Sequence, residues 1–469
     1  MLTYPLEQRG KQSLYTFLYE CIKRDILNGT LSPHEKMPSK RAFAQHLGIS
    51  VITIEKAYDQ LVAEGYIEGR PRSGFYIRPI YLGTAEKRKT AMMLAQTQTS
   101  SSHERVALDL SSNETDAELF PFSSWTKILR SEMTYRQKDL MRKSPAAGVL
   151  ELREQLASHL SAYRGMSVSP EQIVVGAGSE YLHGLIVSLL GRTKRYAVED
   201  PGYSKVAQLF TSQGAHCSFI PIDDAGIDIK TLQGQKVDVA HVSPTHHFPT
   251  GITMPINRRL ELLDWARTAQ NRFIIEDDYD SELRLKGRPI PALASIDEDE
   301  RVIYVNTFSK TLTPTIRVGY MVLPRALVKT FDRELGYLTN TVSTFEQYAL
   351  AAFLREGFFE RHLNRLHTTY LTRRNQVIAL LKESELASRI TIIEENAGVH
   401  FLVHIDGSYD DEKFILQARQ RGVKLVPLSM YYHHKNRAPE HTFLINYSSL
   451  SDKTLTQAVE ILAKIVTAS

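Results

Sequence analysis

The sequence contains very little cysteine and no long apolar run. Among 469 residues it has two cysteines, Cys21 and Cys217, which excludes a disulfide framework and favours small buried thiols in a reducing compartment. No stretch approaches the unbroken apolar length that a membrane-spanning helix needs. The first residues, MLTYPLEQRGKQ, lack the apolar core of a signal peptide. We therefore expect a cytoplasmic protein that does not associate with membranes.

A strong excess of one charge sign is also absent, since the formal net charge is +4. The charge is unevenly distributed, because residues 1–78 hold eleven Lys or Arg against eight Asp or Glu. A basic segment ahead of a near-neutral body is typical of a nucleic-acid-binding module joined to a second domain. A chain of 469 residues is also longer than one hydrophobic core usually organises. At least two domains are predicted.

The first 78 residues carry the pattern of three helices followed by a hairpin. Apolar residues at helical spacing predict a helix over 13–27, and serine caps predict two more over 39–47 and 50–65. Two short strands, 66–67 and 75–77, flank a turn rich in Gly, Pro and Arg. This order predicts a winged helix-turn-helix domain over residues 1–78.

Polar and basic side chains of this domain suit contacts with DNA. In helix-turn-helix proteins one helix enters the major groove while basic side chains and helix-start amides hold the phosphates. Taken singly, each candidate could equally be a solvated surface residue. The candidates on the second helix, on the third helix and at the wing tip are, in that order, Ser39, Lys40 and Arg41; Ser50, Thr53 and Lys56; and Arg70 and Arg72.

A polar segment separates this domain from the rest of the chain. Residues 79–107 lose apolar periodicity and include Glu86-Lys87-Arg88-Lys89, which predicts a flexible linker. Over residues 108–469, short apolar strands alternate with helical stretches. That alternation is the pattern of an α/β domain with a mainly parallel sheet.

The second domain holds the side chains that a pyridoxal 5'-phosphate (PLP) site requires. Such a site needs a lysine for the Schiff base, an acid at the pyridine nitrogen, a hydroxyl at the phenolate oxygen, an aromatic ring over the cofactor and a phosphate cradle. Lys310 follows the apolar strand 302–305, and Asp277 stands at the end of the strand 273–276. A carboxylate at this end of a strand lies where open α/β sheets bind ligands.

Neighbouring segments offer candidates for the remaining functions. Tyr279 could reach the phenolate oxygen, and Tyr203, in a Pro-Gly-Tyr turn, could cover the ring. Singly, each has an ordinary explanation as a cap, turn or surface residue. Their order on strands of one sheet nevertheless favours a PLP site. The candidate phosphate ligands, at a helix start and around the lysine, are Gly178, Ser179, Thr307, Ser309 and Arg317.

The N-terminal segment resembles the GntR-type winged helix over nearly all of residues 11–78. Many members of that family place arginine directly after the serine that opens the recognition helix, whereas this chain has Val51. The resemblance implies binding to double-stranded promoter DNA, with the base readout left open. It rests on Met37-Pro38-Ser39-Lys40-Arg41, 44–50, Thr53-Ile54, Ala57-Tyr58, Leu61, 64–67 and 72–74.

The segment 108–469 resembles fold-type I aminotransferases, which implies PLP and a smaller C-terminal α+β subdomain beside the mainly parallel sheet. Joined to a GntR-type domain, it makes the whole chain similar to the MocR-type transcriptional regulators, the group of PdxR- and GabR-like proteins. The resemblance rests on Gly178-Ser179, Asp200-Pro201-Gly202-Tyr203, 244–251, Glu276-Asp277-Asp278-Tyr279-Asp280 and Thr307-Phe308-Ser309-Lys310.

The resemblance also implies a role for each candidate. Lys310 would carry the PLP Schiff base, with Asp277 at the pyridine nitrogen, Tyr279 at the phenolate and Tyr203 stacked on the ring. His246 lies in the segment where related enzymes bring a polar side chain to the ring, and we expect it there. A homodimer is implied as well, with each N-terminal domain packed on the partner's large domain. The phosphate would be held by Gly178, Ser179, Thr307, Ser309 and Arg317.

Two further observations bear on metals and on catalysis. The histidine pairs at 246–247 and 433–434 have no carboxylate or cysteine at a recognisable ligand spacing, so no metal is expected. Aminotransferases of this fold usually hold the substrate carboxylate with an arginine in a late strand, where this chain has Leu444. Without that bidentate clamp, efficient turnover of α-amino acids is not expected, although Lys205 could contact a ligand carboxylate.

The sequence therefore favours a transcriptional regulator whose DNA binding responds to PLP or to an amine or amino acid at the PLP site. A PdxR-like controller of vitamin B6 synthesis or salvage is the first expectation. A GabR-like regulator of amine or amino-acid metabolism and a working aminotransferase remain alternatives. An interaction scaffold without cofactor would make the ordered set from Asp277 to Lys310 a coincidence.

Overall fold

A computed structural model describes residues 2–10, 12–80, 108–112, 116–285, 287, 290–394, 398–448, 450 and 452–468. The chain divides into two compact units, Met1–Glu104 and Arg105–Ser469. Residues 81–107, and with them almost all of the predicted linker, lie outside the described residues. None of the described helices combines the length and apolar composition needed to cross a bilayer.

The N-terminal unit has the predicted winged helix-turn-helix order. Its elements are the helices α1 (Leu14–Leu27), α2 (Lys40–Leu47) and α3 (Val51–Ala63) and the strands β1 (Ile67–Arg70) and β2 (Gly74–Ile77). The strands pair antiparallel.

Serine caps start each helix of this unit. The side chains of Ser13, Ser39 and Ser50 each accept a hydrogen bond from the backbone amide three residues on, at 3.4, 3.3 and 3.2 Å. Such caps satisfy amides that have no partner inside the helix. One apolar face of each helix is buried in a shared core that includes Leu18, Ile22, Phe43, Ile54, Tyr58 and Leu61.

The larger unit contains many more elements. Its helices are α4 (Phe122–Tyr135), α5 (Gln137–Leu140), α6 (Leu150–Arg164), α7 (Ser179–Leu190), α8 (Ser204–Ser212), α9 (Ile229–Gly234), α10 (Ile256–Arg267), α11 (Arg325–Leu335), α12 (Thr344–Arg355), α13 (Phe358–Glu383), α14 (Asp411–Gln420) and α15 (Asp452–Ala468). Its strands are β3 (Leu108–Asp109), β4 (Ile173–Gly176), β5 (Arg195–Asp200), β6 (His216–Asp223), β7 (Gly226–Ile227), β8 (Val239–Val242), β9 (Phe273–Asp278), β10 (Val302–Thr307), β11 (Gly319–Val322), β12 (Ile390–Ile393), β13 (His400–Ile405), β14 (Val423–Lys424), β15 (Val426–Pro427) and β16 (Thr442–Asn446).

An eight-stranded sheet organises this unit, in the order β4-β11-β10-β9-β8-β5-β6-β7. The neighbours β10, β9, β8, β5 and β6 pair in parallel, while β11 is antiparallel to both of its neighbours. The mainly parallel sheet is therefore confirmed. Because the carboxyl ends of parallel strands share one edge, residues that end these strands come together there.

Both faces of this sheet are covered by apolar residues. On β10, Tyr304 packs into one core cluster while Ile303 and Val305 pack into another. This alternation explains why the strand is an almost unbroken apolar run in the sequence. A second, four-stranded antiparallel sheet, β12-β13-β16-β15, packs into a separate core with α13, α14 and α15. It forms the smaller α+β part that the sequence predicts.

Candidate functional site

A cavity of about 270 Å³ lies at the carboxyl edge of the parallel strands. Side chains at the ends of β5, β9 and β10 line it, together with the first residue of α7. The parallel arrangement thus brings together residues that are far apart in the chain. Eight of the ten predicted cofactor residues line this cavity, namely Ser179, Tyr203, Asp277, Tyr279, Thr307, Ser309, Lys310 and Arg317.

Lys310 lies three residues beyond the end of β10, behind the buried anchor Phe308. Burial disfavours its charged form and lowers the pKa of Lys310 to about 8, although the negative charge of Asp280 acts in the opposite direction. An appreciable fraction of this amine is therefore neutral near pH 7, as a nucleophile that attacks an aldehyde must be.

Asp277, the penultimate residue of β9, presents its carboxylate to the cavity. Its Oδ2 lies 3.3 Å from Nε2 of His241 and 4.0 Å from Nε2 of His183. Burial raises the pKa of Asp277, but the hydrogen bond and charge of His241 and the charge of His183 outweigh that effect and lower it. A permanently charged acid at this position suits a protonated pyridine nitrogen.

Tyr279 is oriented by a buried histidine and aspartate. Nδ1 of His246 lies 2.8 Å from Oδ2 of Asp280 and 3.0 Å from the Tyr279 hydroxyl. A ring nitrogen holds one proton, and an ionised carboxylate can only accept, so Nδ1 is the donor in this ion pair. Because that one proton is directed at Asp280, Nδ1 has no lone pair to accept from Tyr279, and the phenol proton can be donated into the cavity instead.

The structure places His246 differently from the expectation. His246 is buried beside Asp280 and is not among the described side chains that line the cavity, where its neighbour Phe248 is. His246 therefore contacts Tyr279, and its place beside the cofactor ring stays a prediction.

The predicted phosphate ligands cluster around the start of α7. Gly178 has a φ of +86°, and a Cβ atom there would lie 2.8 Å from Nη2 of Arg317. That guanidinium donates to the carbonyl oxygen of Ala177 at 3.2 Å and lies 3.5 Å from a carboxylate oxygen of Glu180. A cation held against free helix-start amides is a suitable anion cradle. The backbone conformation favours glycine at position 178, and an added Cβ would also displace the Arg317 guanidinium.

Tyr203 precedes α8 and is 44% exposed. Its ring contacts the edge of Phe248 with 5.9 Å between centroids. The ammonium of Lys205 lies 6.0 Å from the Tyr203 centroid, and Lys205 also lines the cavity. An aromatic face and a nearby cation are therefore available to a bound molecule.

Leu444 does not reach the cavity. It is buried on β16 opposite Leu402 of β13 and packs with Leu402 and Leu428 in an apolar cluster. Among the described residues that line the cavity, the cations are Lys205, Lys310 and Arg317. The cavity thus contains eight of the ten predicted cofactor residues and no arginine from the late strand among its described lining residues.

Several lining residues were not predicted from the sequence. Glu199 is the penultimate residue of β5, and burial raises its pKa to about 8 although it accepts a backbone hydrogen bond from Ser243 at 3.0 Å. His400 comes from the second sheet, and no local motif marks it. His241 is a polar residue inside the apolar strand β8, and this position is the signal in the sequence that marks it as a site residue.

Two groups of described residues have spacing that would suit a metal ion, namely His183, His241 and Asp277, and His246, Asp280 and His400. Their contacts have another explanation, since the first group sets the charge of Asp277 and the second orients Tyr279. The absence of a metal stays a prediction.

A buried ion pair supports the site from behind. Arg164 at the end of α6 lies 2.8 Å from Asp278, the residue after Asp277, and donates to Thr245 Oγ1 at 3.0 Å. The Tyr304 hydroxyl donates to the same carboxylate at 2.6 Å. These bonds join α6, β9, β10 and the segment after β8, and so fix the strand end that carries Asp277.

The candidate DNA contacts in the N-terminal unit fall into two groups. Lys40 lies 2.8 Å from Glu55 and 3.6 Å from Asp59 on α3, and Arg70 lies 2.7 Å from Glu68. Those two cations are engaged within the domain. Ser39, Ser50 and Thr53 shape the helix starts, while the exposed cations Arg41, Lys56 and Arg72 project from α2, α3 and the wing.

Two family descriptions match the chain. Aminotransferase class I and II matches residues 105–462, and the gntR family of bacterial regulatory proteins matches residues 14–77. The predicted two-part organisation corresponds to these matches.

Curated relatives match along nearly the whole length. The regulator YdeL of Bacillus subtilis is 34% identical, covering 95% of both chains. The probable rhizopine catabolism regulatory protein MocR of Rhizobium meliloti is 30% identical, covering 97% of this chain and 94% of its own. The pyridoxine biosynthesis transcriptional regulator PdxR of Corynebacterium glutamicum is 32% identical, covering 92% and 91%.

Solved aminotransferases share the fold of the larger unit. Kynurenine aminotransferase of Pyrococcus horikoshii matches with a TM-score of 0.67 at 24% identity, covering 83% of this chain and 95% of that one. A multiple substrate aminotransferase of Thermococcus profundus matches with a TM-score of 0.69 at 24% identity, covering 83% and 96%.

Proposed function

The chain belongs to the MocR- and PdxR-type helix-turn-helix transcriptional regulators, in which a GntR domain is joined to a PLP-binding domain of aminotransferase class I and II. From this premise we propose that its PLP site is a sensor. Residues 1–78 bind promoter DNA, 79–107 link the domains, and 108–469 hold the cofactor and respond to its state. The bound cofactor supplies an aldehyde for a reversible bond to an amine and an electron-withdrawing ring.

We propose the following residue roles. The Lys310 amine bonds to the cofactor, the Asp277 carboxylate faces the pyridine nitrogen, and Tyr279 donates to the phenolate oxygen. Tyr203 covers the ring. Gly178, Ser179, Thr307, Ser309 and Arg317 hold the phosphate.

One observation carries the sensor proposal. The cavity has every group that PLP binding needs, yet the strand that usually supplies the substrate arginine has Leu444 packed in an apolar cluster. Without a bidentate arginine, the α-carboxylate of a substrate is held less firmly in a reactive orientation. The loss therefore lowers the rate of turnover more than it lowers the affinity for the cofactor. A site of this kind retains a ligand better than it processes one.

PLP itself, or an amine that displaces Lys310 from it, is the effector in this proposal. The relative described as a pyridoxine biosynthesis regulator supports PLP and control of vitamin B6 synthesis or salvage. The relative described as a rhizopine catabolism regulator supports an amine-type ligand instead. Either ligand changes the population of protein conformations in proportion to its preference for one of them. A homodimer with swapped N-terminal domains is our proposal for how that change reaches DNA.

The test is a fluorescence anisotropy titration with DNA from upstream of the protein's own gene. Cofactor-free and PLP-loaded protein are compared in the wild type and in Lys310→Ala, with Lys329→Ala as a matched control, since Lys329 is an exposed lysine of α11. We expect PLP to change DNA affinity in the wild type and the control but not in Lys310→Ala. Equal affinities in every arm would refute the sensor proposal.

A working aminotransferase is the second candidate, and the position of Lys205 favours it. This lysine lines the cavity beside Tyr203 and offers a single cation to a ligand carboxylate. Rapid single-turnover spectral conversion of the loaded protein by common amino acids, abolished in Lys205→Ala, would support catalysis. A stable spectrum in the presence of amino acids would support the sensor.

A further inference from the structure

Two exposed aliphatic side chains open the recognition helix α3. Val51 is 42% exposed and Ile52 65% exposed, although side chains of this kind are normally buried. We infer that Val51 and Ile52 contact the C5-methyl groups of thymines in the major groove and so select A·T base pairs in the operator. The inference rests on the DNA-binding function of this domain.

The first turn of α3 is built to present these two residues. Ser50 accepts from the Thr53 amide at 3.2 Å, and the two hydroxyls lie 2.9 Å apart, which fixes the start of the helix. Farther along, Ile54, Ala57 and Tyr58 bury the opposite face. Because Val and Ile branch at Cβ, each has few rotamers in a helix and loses little freedom when it meets DNA. The exposed pair is therefore rigidly held.

The charges around this pair suit an approach to DNA. Glu55 and Asp59 follow Val51 at helical spacing, and Lys40 of α2 lies 2.8 and 3.6 Å from their carboxylates. That pairing offsets one of the two negative charges that would otherwise repel phosphates. Lys56 follows Ile52 at the same spacing and is exposed. Among the described contacts Lys56 has a cation–π contact with Tyr15, 5.8 Å from the ring centroid, and no ion pair, so no carboxylate neutralises its charge. This positive charge beside Ile52 favours DNA over a protein surface without acidic side chains.

The chemistry of the base edges selects thymine. Val51 and Ile52 have no side-chain donor or acceptor, so neither can replace the water bound by guanine O6 and N7 or by adenine N6 and N7. The thymine methyl is the one apolar group that standard base pairs present in the major groove. Contact with it buries apolar surface on both sides without leaving a polar group unpaired.

The experiment removes that methyl and nothing else. Preferred sites are selected from randomised DNA with the full-length protein, and each thymine of the selected site is then replaced by deoxyuridine. We expect affinity to fall by about fourfold per contacted methyl at one or two positions of each half-site, the loss corresponding to one buried methyl. Ile52→Ala and Val51→Ala should bind the thymine site more weakly and should lose the difference between thymine and deoxyuridine.

Val62→Ala is the matched control, because Val62 is 39% exposed at the far end of the same helix. It should keep the full deoxyuridine effect. Val51→Thr keeps a methyl group of similar shape and should keep most of it, so a result does not depend on one variant that fails to fold.

Each of the following results would overturn the inference. Tight binding to the selected sites that is insensitive to deoxyuridine at every position would show that no thymine methyl is contacted. Selection of G·C pairs by the wild type, with loss of that preference in Ile52→Ala, would show the same. If both alanine variants bind DNA as the wild type does but differ from it in self-association, this surface contacts another protein molecule instead of DNA. DNA binding without any sequence selectivity would refute the inference alone, whereas absence of any DNA binding would refute the DNA-binding function together with it.

Discussion

Cofactor-free protein should capture PLP faster as the pH rises from 6 to 8, and the rate should level off at higher pH. A neutral amine adds to an aldehyde, whereas an ammonium does not. Burial lowers the pKa of Lys310 to about 8, so the neutral fraction climbs tenfold per pH unit below this value and saturates above it.

The size of the effect follows from the pKa of Lys310. At pH 7 a lysine with a pKa of about 8 is roughly one-tenth neutral, whereas one with the ordinary value of 10.5 is roughly 0.03% neutral. The buried amine therefore gains about 300-fold in reactive form near neutrality.

Stopped-flow absorbance of the imine band between pH 6 and 10 measures this profile, and a small soluble amine measured in parallel corrects for titration of the cofactor. Lys310→Ala should show no covalent band. In Asp280→Asn the plateau should begin at a lower pH, because the Asp280 charge raises the pKa of Lys310. A rate that still rises tenfold per unit near pH 10 would refute the assignment of a buried, easily neutralised lysine.

Three further predictions concern other parts of the protein. Gly178→Ala should weaken PLP binding at least tenfold, as measured by spectral titration. The added Cβ would lie 2.8 Å from the Arg317 guanidinium, in a backbone conformation with φ +86° that alanine rarely adopts. Unchanged PLP binding would contradict the proposed phosphate cradle. Arg164→Met should lower the free energy of unfolding of the larger unit, measured in urea, by about 3–5 kcal/mol, since it leaves the Asp278 carboxylate buried without its cation. A loss under about 1 kcal/mol would show that water or protonation compensates the Asp278 carboxylate in place of Arg164. Arg41→Ala should weaken binding to all DNA sequences alike and reduce the slope of log affinity against log salt concentration by about 1, because a phosphate contact is lost. A loss of affinity that depends on the DNA sequence would show instead that Arg41 contacts base edges.

Local rules predicted much of this architecture because they act within a few residues. Serine caps located α2 and α3, and the hairpin signal located β2 but only the start of β1, which continues to Arg70. For the cofactor site, one general rule was enough: residues that end parallel strands meet at one edge of the sheet. Asp277 and Lys310 come together for this reason, although they belong to different strands.

The remaining features depend on contacts between distant segments. His246 and Phe248 are two residues apart, and which of them faces the cavity depends on how the segment after β8 packs on Asp280. His400 enters the site from the second sheet, whose position no local pattern specifies. The pairing of Lys40 with α3 likewise appears only when α2 and α3 pack together.

The position of Leu444 also bears on which ligand the site can sense. With that side chain packed against Leu402 and Leu428, a carboxylate on the ligand would meet Lys205 or Arg317 rather than a dedicated arginine. If Arg317 is occupied by the cofactor phosphate, Lys205 alone is left, and a lysine binds as a point charge without the bidentate geometry that fixes a ligand's orientation. The site then gains little from an α-carboxylate, so the energy that distinguishes ligands must come from the amine and from PLP itself. That balance favours a regulator that reads the presence of cofactor or of a simple amine over one that reads a particular α-amino acid.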